Sequence, residues 1–213
     1  MGKRALSHYG GTRAPPGGPP IASFEIAMRL RHMLAAVAIA GALAASGDEP
    51  KVPEFRAKVK SYTDLVDRLD KDLGRLPDRA GPEQINAHKR ALAAAVKQAR
   101  AAAKPGEIFV ASEQPVFKSI LKTETRGKEG APARKTIAED NPKTPDPGHK
   151  TPPVTLAVNA TYPDGAPRST TPPTILLRLP KLPENVEFRF VGKALVLYDP
   201  RANLIVDFIP NAL

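Results

Sequence analysis

The strongest alternation of apolar and polar positions lies near the C-terminal end, in LPENVEFRFVGKALVLYDPRANLIVDFIP, residues 182–210. VEFRFV places Val186, Phe188 and Phe190 on one side and Glu187, Arg189 and Val191 on the other, the period-two pattern of a strand. Gly192-Lys193 suits a two-residue turn, ALVLYD is a second strand, and Asp199 to Asn203 is a turn, with Pro200 fixing φ and Asn203 tolerant of the left-handed region. LIVDFI is a third strand, stopped by Pro210. Three strands joined by tight turns predict an antiparallel meander with one apolar face, which needs a cover.

Upstream the period changes to three or four. Phe55, Val59, Tyr62, Val66, Leu69 and Leu73 form one helical stripe, with Pro53 and Glu54 at its start and Gly74 at its stop. A second helix begins at Pro82. Its expected face combines Ile85, Leu92 and Val96 with Ala91, Ala95 and Ala99, and Pro105-Gly106 ends it. The short connection between the two predicts an antiparallel helical hairpin. A short third helix follows, capped by Ser112, with Val116, Phe117, Ile120 and Leu121 on its apolar side.

Residues 123–153 are rich in Pro, Lys and Asp and read as an extended linker, with at most one helical turn in ARKTIAEDNP. VTLAVNATYP then alternates like a strand, and STTPPTILLRLP reads as a short helix capped by Ser169 to Thr171, with Ile175, Leu176 and Leu179 buried. The expected fold is therefore α+β. A signal helix and a helical hairpin with a short third helix precede a small antiparallel β-meander backed by a short helix. The expected boundaries are 48–122 for the helices, 123–153 for the linker and 154–213 for the meander.

The N-terminal region changes the picture from fold to address. From Met28, Arg29, Arg31 and His32 precede an uncharged run from Met33 to Ala45, and Ala42-Leu43-Ala44 has the small-x-small form of a cleavage site. This is the layout of a secretory signal peptide over residues 28–47, and the run is too short for a spanning helix of about 20 residues. Residues 1–27, with GGTRAPPGGPP, read as a disordered extension or a start-site artefact ahead of Met28. The expected localisation is periplasmic or secreted.

Composition narrows the chemistry. The 213 residues include no Cys, which excludes disulfides, thiolate ligands, a Cys nucleophile and a lipoprotein anchor. The formal charge is +10, and beyond the N-terminal segment charges of both signs are interspersed. That pattern gives solubility and weak affinity for polyanions, not the footprint of a nucleic-acid binder. Phe188, Arg189 and Phe190 are no stacking platform either, because strand alternation separates the Phe residues from Arg189.

After signal cleavage only His88 and His149 remain, neither with a second ligand at metal spacing, and no nucleophile elbow or phosphate loop is present. Asn159-Ala160-Thr161 matches a glycosylation acceptor that is idle in a bacterial protein. The polar residues that stand out are Arg189, Asp199, Asn203 and Asp207. They read either as a cross-strand Arg189–Asp207 ion pair plus two turn residues, or as a small polar binding spot on the sheet.

The framework LPxLPxxVEFRFVGxxLVLxDxxANLIVDFI, with the upstream RALAAAVKQARAAAKPGEIF, resembles an uncharacterised family of secreted bacterial proteins over most of the chain after the signal segment. The resemblance implies secretion and a shared fold, and carries no activity and no site residues. LVLYDPRANLIVDFI is also similar to hairpins that close other small periplasmic proteins. The expected function is a non-enzymatic envelope binding or structural protein without a cofactor, whose partner is an envelope protein or polymer. Its alternatives are a small envelope hydrolase with an unrecognised site and a polyanion-binding protein acting through scattered Lys and Arg.

Overall fold

The computed structural model describes residues 49–139, 141–142 and 153–213. The expected extension, the signal segment and most of the Pro-rich stretch after α4 lie outside the described residues. Among the described residues no helix is long and apolar enough to cross a membrane.

Helix α1 spans Pro53–Leu73 and buries Phe55, Val59, Tyr62, Thr63 and Val66, the expected stripe without its last turn. Helix α2 spans Pro82–Ala99. The Gln84 side chain accepts the Gly81 N–H at 2.9 Å and closes its first turn. Its buried face is Leu92, Ala93 and Val96; Ile85, Ala91 and Ala99 are exposed, contrary to expectation. The packing therefore centres on the C-terminal half of α2, and the smooth Ala face is only partly used.

Helix α3 spans Gln114–Glu124 and inserts Phe117 and Leu121. Ser112 does not cap it. The preceding residue in the N-cap position is Glu113, and the Ser112 hydroxyl instead reaches Glu54 Oε1 at 3.3 Å.

The stretch expected as a linker departs most from its composition. Residues Ala131–Ala138 form helix α4, which buries Ala133 and Ile137 in the same core as α1 to α3. The α3–α4 corner needs glycine. A Cβ on Gly130 would lie 2.3 Å from the Thr125 carbonyl carbon. Beyond α4, Asn141 accepts the Gly192 N–H at 2.8 Å and donates to the Gly192 carbonyl at 2.9 Å. Few apolar residues were enough here, because two of them fall on one helical face.

The sheet follows its pattern closely. Strands β1 (Glu187–Val191), β2 (Ala194–Asp199) and β3 (Leu204–Ile209) pair antiparallel in the order β1-β2-β3. Gly192 has φ 56° and Asn203 φ 52°, the left-handed values that both turns require. The α+β class is thus present as a helical layer on a three-stranded antiparallel sheet.

Both faces of the sheet are buried, where one was expected to be polar. On the helical side Phe188, Phe190, Leu195, Leu197, Leu204, Val206 and Ile209 join the main core. At its centre the Phe55 ring lies 5.1 Å from Phe109, 4.9 Å from Phe117 and 6.1 Å from Phe188. On the other side Val191, Val196, Tyr198 and Ile205 meet Tyr162 and Ala166. VTLAVNATYP supplies that second cover and is not a strand. Only Thr161 makes an isolated bridge, to Leu204, and Leu156 stays 36% exposed.

Helix α5 is a single turn, Pro173–Leu176, burying Ile175 but leaving Leu176 exposed. Ser169 and Thr171 do not cap it. Ser169 Oγ accepts the Phe190 N–H at 2.7 Å and donates to the Phe190 carbonyl at 2.9 Å, while Thr171 Oγ1 donates to the Phe188 carbonyl at 2.6 Å. These hydroxyls protect the outer edge of β1, which would otherwise present unpaired backbone groups.

Because Ile137 is 4% exposed within the core, Ile137→Ala is expected to lower stability by about 2–4 kcal/mol in urea denaturation. A loss below about 0.5 kcal/mol would mean that this segment is a linker after all.

Candidate functional site

Asp207 sits in β3, where regular alternation from Ile205 would point it to the outer face, the face that carries Arg189 two strands away on β1. A bulge reverses that. Leu197 pairs with Asp207 and Tyr198 with Ile205, so Val206 is an extra residue. Val206 and Asp207 therefore both face the helical layer, while Ile205 stays on the outer side with Tyr198. Asp207 is fully buried, and its carboxylate collects four backbone N–H groups. Oδ1 accepts from Gly106 at 2.9 Å and Phe208 at 2.8 Å; Oδ2 accepts from Ile108 and Phe109, both at 2.8 Å.

Arg189 lies on the opposite face. Its guanidinium pairs with Glu187 and donates to the Ser169 carbonyl at 3.0 Å. The expected Arg189–Asp207 pair does not form, for two reasons: β2 lies between β1 and β3, and the bulge turns Asp207 to the other face.

Asp199 ends β2 and is also fully buried. Its Oδ1 accepts the Arg201 and Ala202 N–H groups at 2.7 and 3.1 Å, an Asx-type turn that fixes the β2–β3 corner. Its Oδ2 accepts the Tyr62 hydroxyl at 2.9 Å, tying α1 to the sheet. Burial, then the Asp199 charge and hydrogen bond, push the Tyr62 phenol far above its usual range. Asn203 stabilises the same corner from outside: its amide accepts the Tyr198 hydroxyl at 2.7 Å and donates to the Tyr162 carbonyl at 2.9 Å. The four residues singled out in the sequence are thus split among three separate surroundings.

Other polar residues carry as much weight. The Glu113 carboxylate accepts the Glu54 and Phe55 N–H groups at 3.0 and 2.8 Å and so caps α1 from 58 or 59 residues away. Arg100, 8% exposed, lies 5.1 Å over the Tyr62 ring. It donates to Asn159 Oδ1 at 2.9 Å and to the carbonyl of the bulge residue Val206 at 3.2 Å. Asn159, at φ 62°, returns a bond to the Arg100 carbonyl at 2.8 Å, so its amide is held inside the fold. The sequence signal for Glu113 and Arg100 was faint, since each is one charge among many.

His88 does have a carboxylate partner, contrary to its sequence reading. Asp70 Oδ1 comes from the other helix of the hairpin and lies 2.6 Å from His88 Nε2. The pair borders an open hollow of about 540 Å³, with Asp67 held at its rim by Arg201 at 2.7 Å. Among the described residues no three His, Asp or Glu side chains are grouped as a metal site requires.

Chemically, the carboxylates of Glu113, Asp199 and Asp207 act as acceptors for the chain's own N–H groups. Such groups serve folding, since each carboxylate is buried and both its oxygens already accept hydrogen bonds from the chain. Comparison with protein-family models, with curated proteins and with solved structures returned no match to this chain.

Asp207→Asn would turn an amide toward N–H donors and is expected to cost about 3 kcal/mol, whereas Arg189→Gln is expected to cost about 1 kcal/mol or less. Equal losses in urea denaturation would restore the cross-strand pair. Tyr62 gives a pH signature. Its folded pKa is raised above the unfolded value of about 10, so its contribution is complete below pH 10 and is lost as pH climbs further. Tyr162, raised to about 12 mainly by burial, adds to the same alkaline decline. Tyr62→Phe is expected to be about 1–3 kcal/mol less stable at pH 7, with a shallower fall above pH 10. An unchanged alkaline slope would refute the assignment.

Proposed function

We propose that the protein is exported to the periplasm or the cell exterior and works there as a non-enzymatic binding or structural component of the envelope. The observation that carries the non-enzymatic part is the commitment of the buried carboxylates Glu113, Asp199 and Asp207 to backbone N–H groups. A catalytic acid or base has to reach a reacting group in a concave site. Export is supported by the basic residues, apolar run and small-x-small site between Met28 and Ala44.

One observation favours a hydrolase as the second reading. The His88–Asp70 pair opens onto a hollow, and a carboxylate-oriented imidazole is the arrangement of a general base. Among the described residues no Ser or Thr lines that hollow, which leaves the pair without a described side-chain nucleophile to activate.

Intact mass and N-terminal sequencing of the protein from fractionated native cells test the localisation. A start at Ala45 or Asp48 in the soluble periplasmic or external fraction is the expected result. An uncleaved chain in the cytosol would overturn the export reading.

A further inference from the structure

A groove of about 540 Å³ runs between α2 and the turns that precede and follow it in space, residues 161–164 and 202–203. Its floor is Ala93 and Ala94, so small side chains leave it open. Lys89, Arg90 and Lys97 form its α2 wall, all exposed. They lie on one stripe of the helix, and the first and last are separated by about two turns, or roughly 12 Å. None of the three forms a salt bridge with another described residue. Lys97 is placed rather than free-swinging, because its ammonium donates to Thr161 Oγ1 at 2.6 Å across the groove.

The opposite wall offers hydroxyl and carboxylate chemistry in Thr161 and Asp164, and Asn86 adds an amide at one end. We infer that this groove binds an acidic polysaccharide, the three cations engaging carboxylate groups along the chain while Asn86, Thr161 and Asp164 meet its hydroxyls. This rests on the reading of the protein as an envelope binding component and names the ligand of that role.

The same lining disfavours the other polyanions. Among the described residues no aromatic ring lines the groove, so a nucleic acid would gain no base stacking from them. An acidic peptide would find no sheet edge to extend. At Asn203 to Ile205 that edge is already taken by residues 159–162, through Tyr162 N–H to the Asn203 carbonyl at 2.9 Å and Asn159 N–H to the Ile205 carbonyl at 2.8 Å. Among the described residues no large apolar side chain lines the groove to hold a lipid tail.

The test is calorimetric titration of the purified full chain with polygalacturonate, with its fully methyl-esterified neutral form and with polyglutamate, at low and high salt. Saturable binding to polygalacturonate that weakens with salt, and none to the neutral form, is expected. The triple variant Lys89→Glu, Arg90→Glu, Lys97→Glu is expected to lose about tenfold or more in affinity. A control triple at exposed lysines elsewhere, Lys58→Glu, Lys122→Glu, Lys128→Glu, is expected to lose about threefold or less. The milder Lys89→Gln, Arg90→Gln variant, checked for an unchanged thermal transition, guards against misfolding and should still lose affinity.

Absence of saturable binding by the native chain would overturn the proposal, as would equal losses in the two triples, or tighter binding of polyglutamate through the same cations. The titration does not depend on where the protein resides, so a failed groove and a failed export reading give separate results.

Discussion

The fold turns on one carboxylate. The bulge at Val206 rotates Asp207 from the outer face of the sheet into the helical layer, where the loop between α2 and α3 arrives with its N–H groups unpaired. A loop entering a core costs free energy for every orphaned donor. The two oxygens of Asp207 satisfy three donors of that loop, and Phe109, whose N–H is one of them, stacks against Phe55 at the centre of the core. Polar satisfaction and aromatic packing are therefore one event: the ring is placed by the carboxylate that holds its backbone.

Glu113 and Asp199 repeat the principle at two other joints. Glu113 closes the first turn of α1, whose own N-cap position, Val52, has no side-chain oxygen to offer. Asp199 fixes the β2–β3 corner and reaches Tyr62 on α1. Arg100 lies over that tyrosine and takes the carbonyl of the bulge residue Val206. With no disulfide available, helices and sheet are registered by buried charge-assisted hydrogen bonds, of which those from Asp207 to the 106–109 loop, Asp199 to Tyr62 and Glu113 to α1 join groups far apart in the chain. Such bonds add specificity to a layer contact whose apolar part is less particular about register.

What the sequence made legible follows from range. Strands β1 to β3 were readable because period-two alternation and turn chemistry act within a few residues, at Gly192 and Asn203 above all. Helices α1 and α2 were readable from their stripes and from the prolines at their starts. The direction of Asp207 was not, because a bulge breaks the alternation without leaving a glycine or proline to mark it. Helix α4 hid behind polar composition, since Ala133 and Ile137 are too few to make a periodic signal. Ser169 and Thr171 matched the chemistry of a helix cap but serve a strand edge, a choice that only tertiary placement decides. The basic groove could not be seen in one dimension, because its two walls lie 64 residues or more apart in the sequence.

The position of Asp207, 98 to 101 residues after the loop amides it accepts, has a temporal consequence. During synthesis or threading through a narrow channel, the loop at 106–109 emerges long before its anchor. Until β3 is free, Arg100 lacks the Val206 carbonyl, the loop amides lack their acceptor, and Phe109 has no fixed backbone from which to meet Phe55. The helices can form early, but the latch that fixes them arrives with β3. It closes only once that strand is free, which keeps the unfinished polypeptide pliable until then.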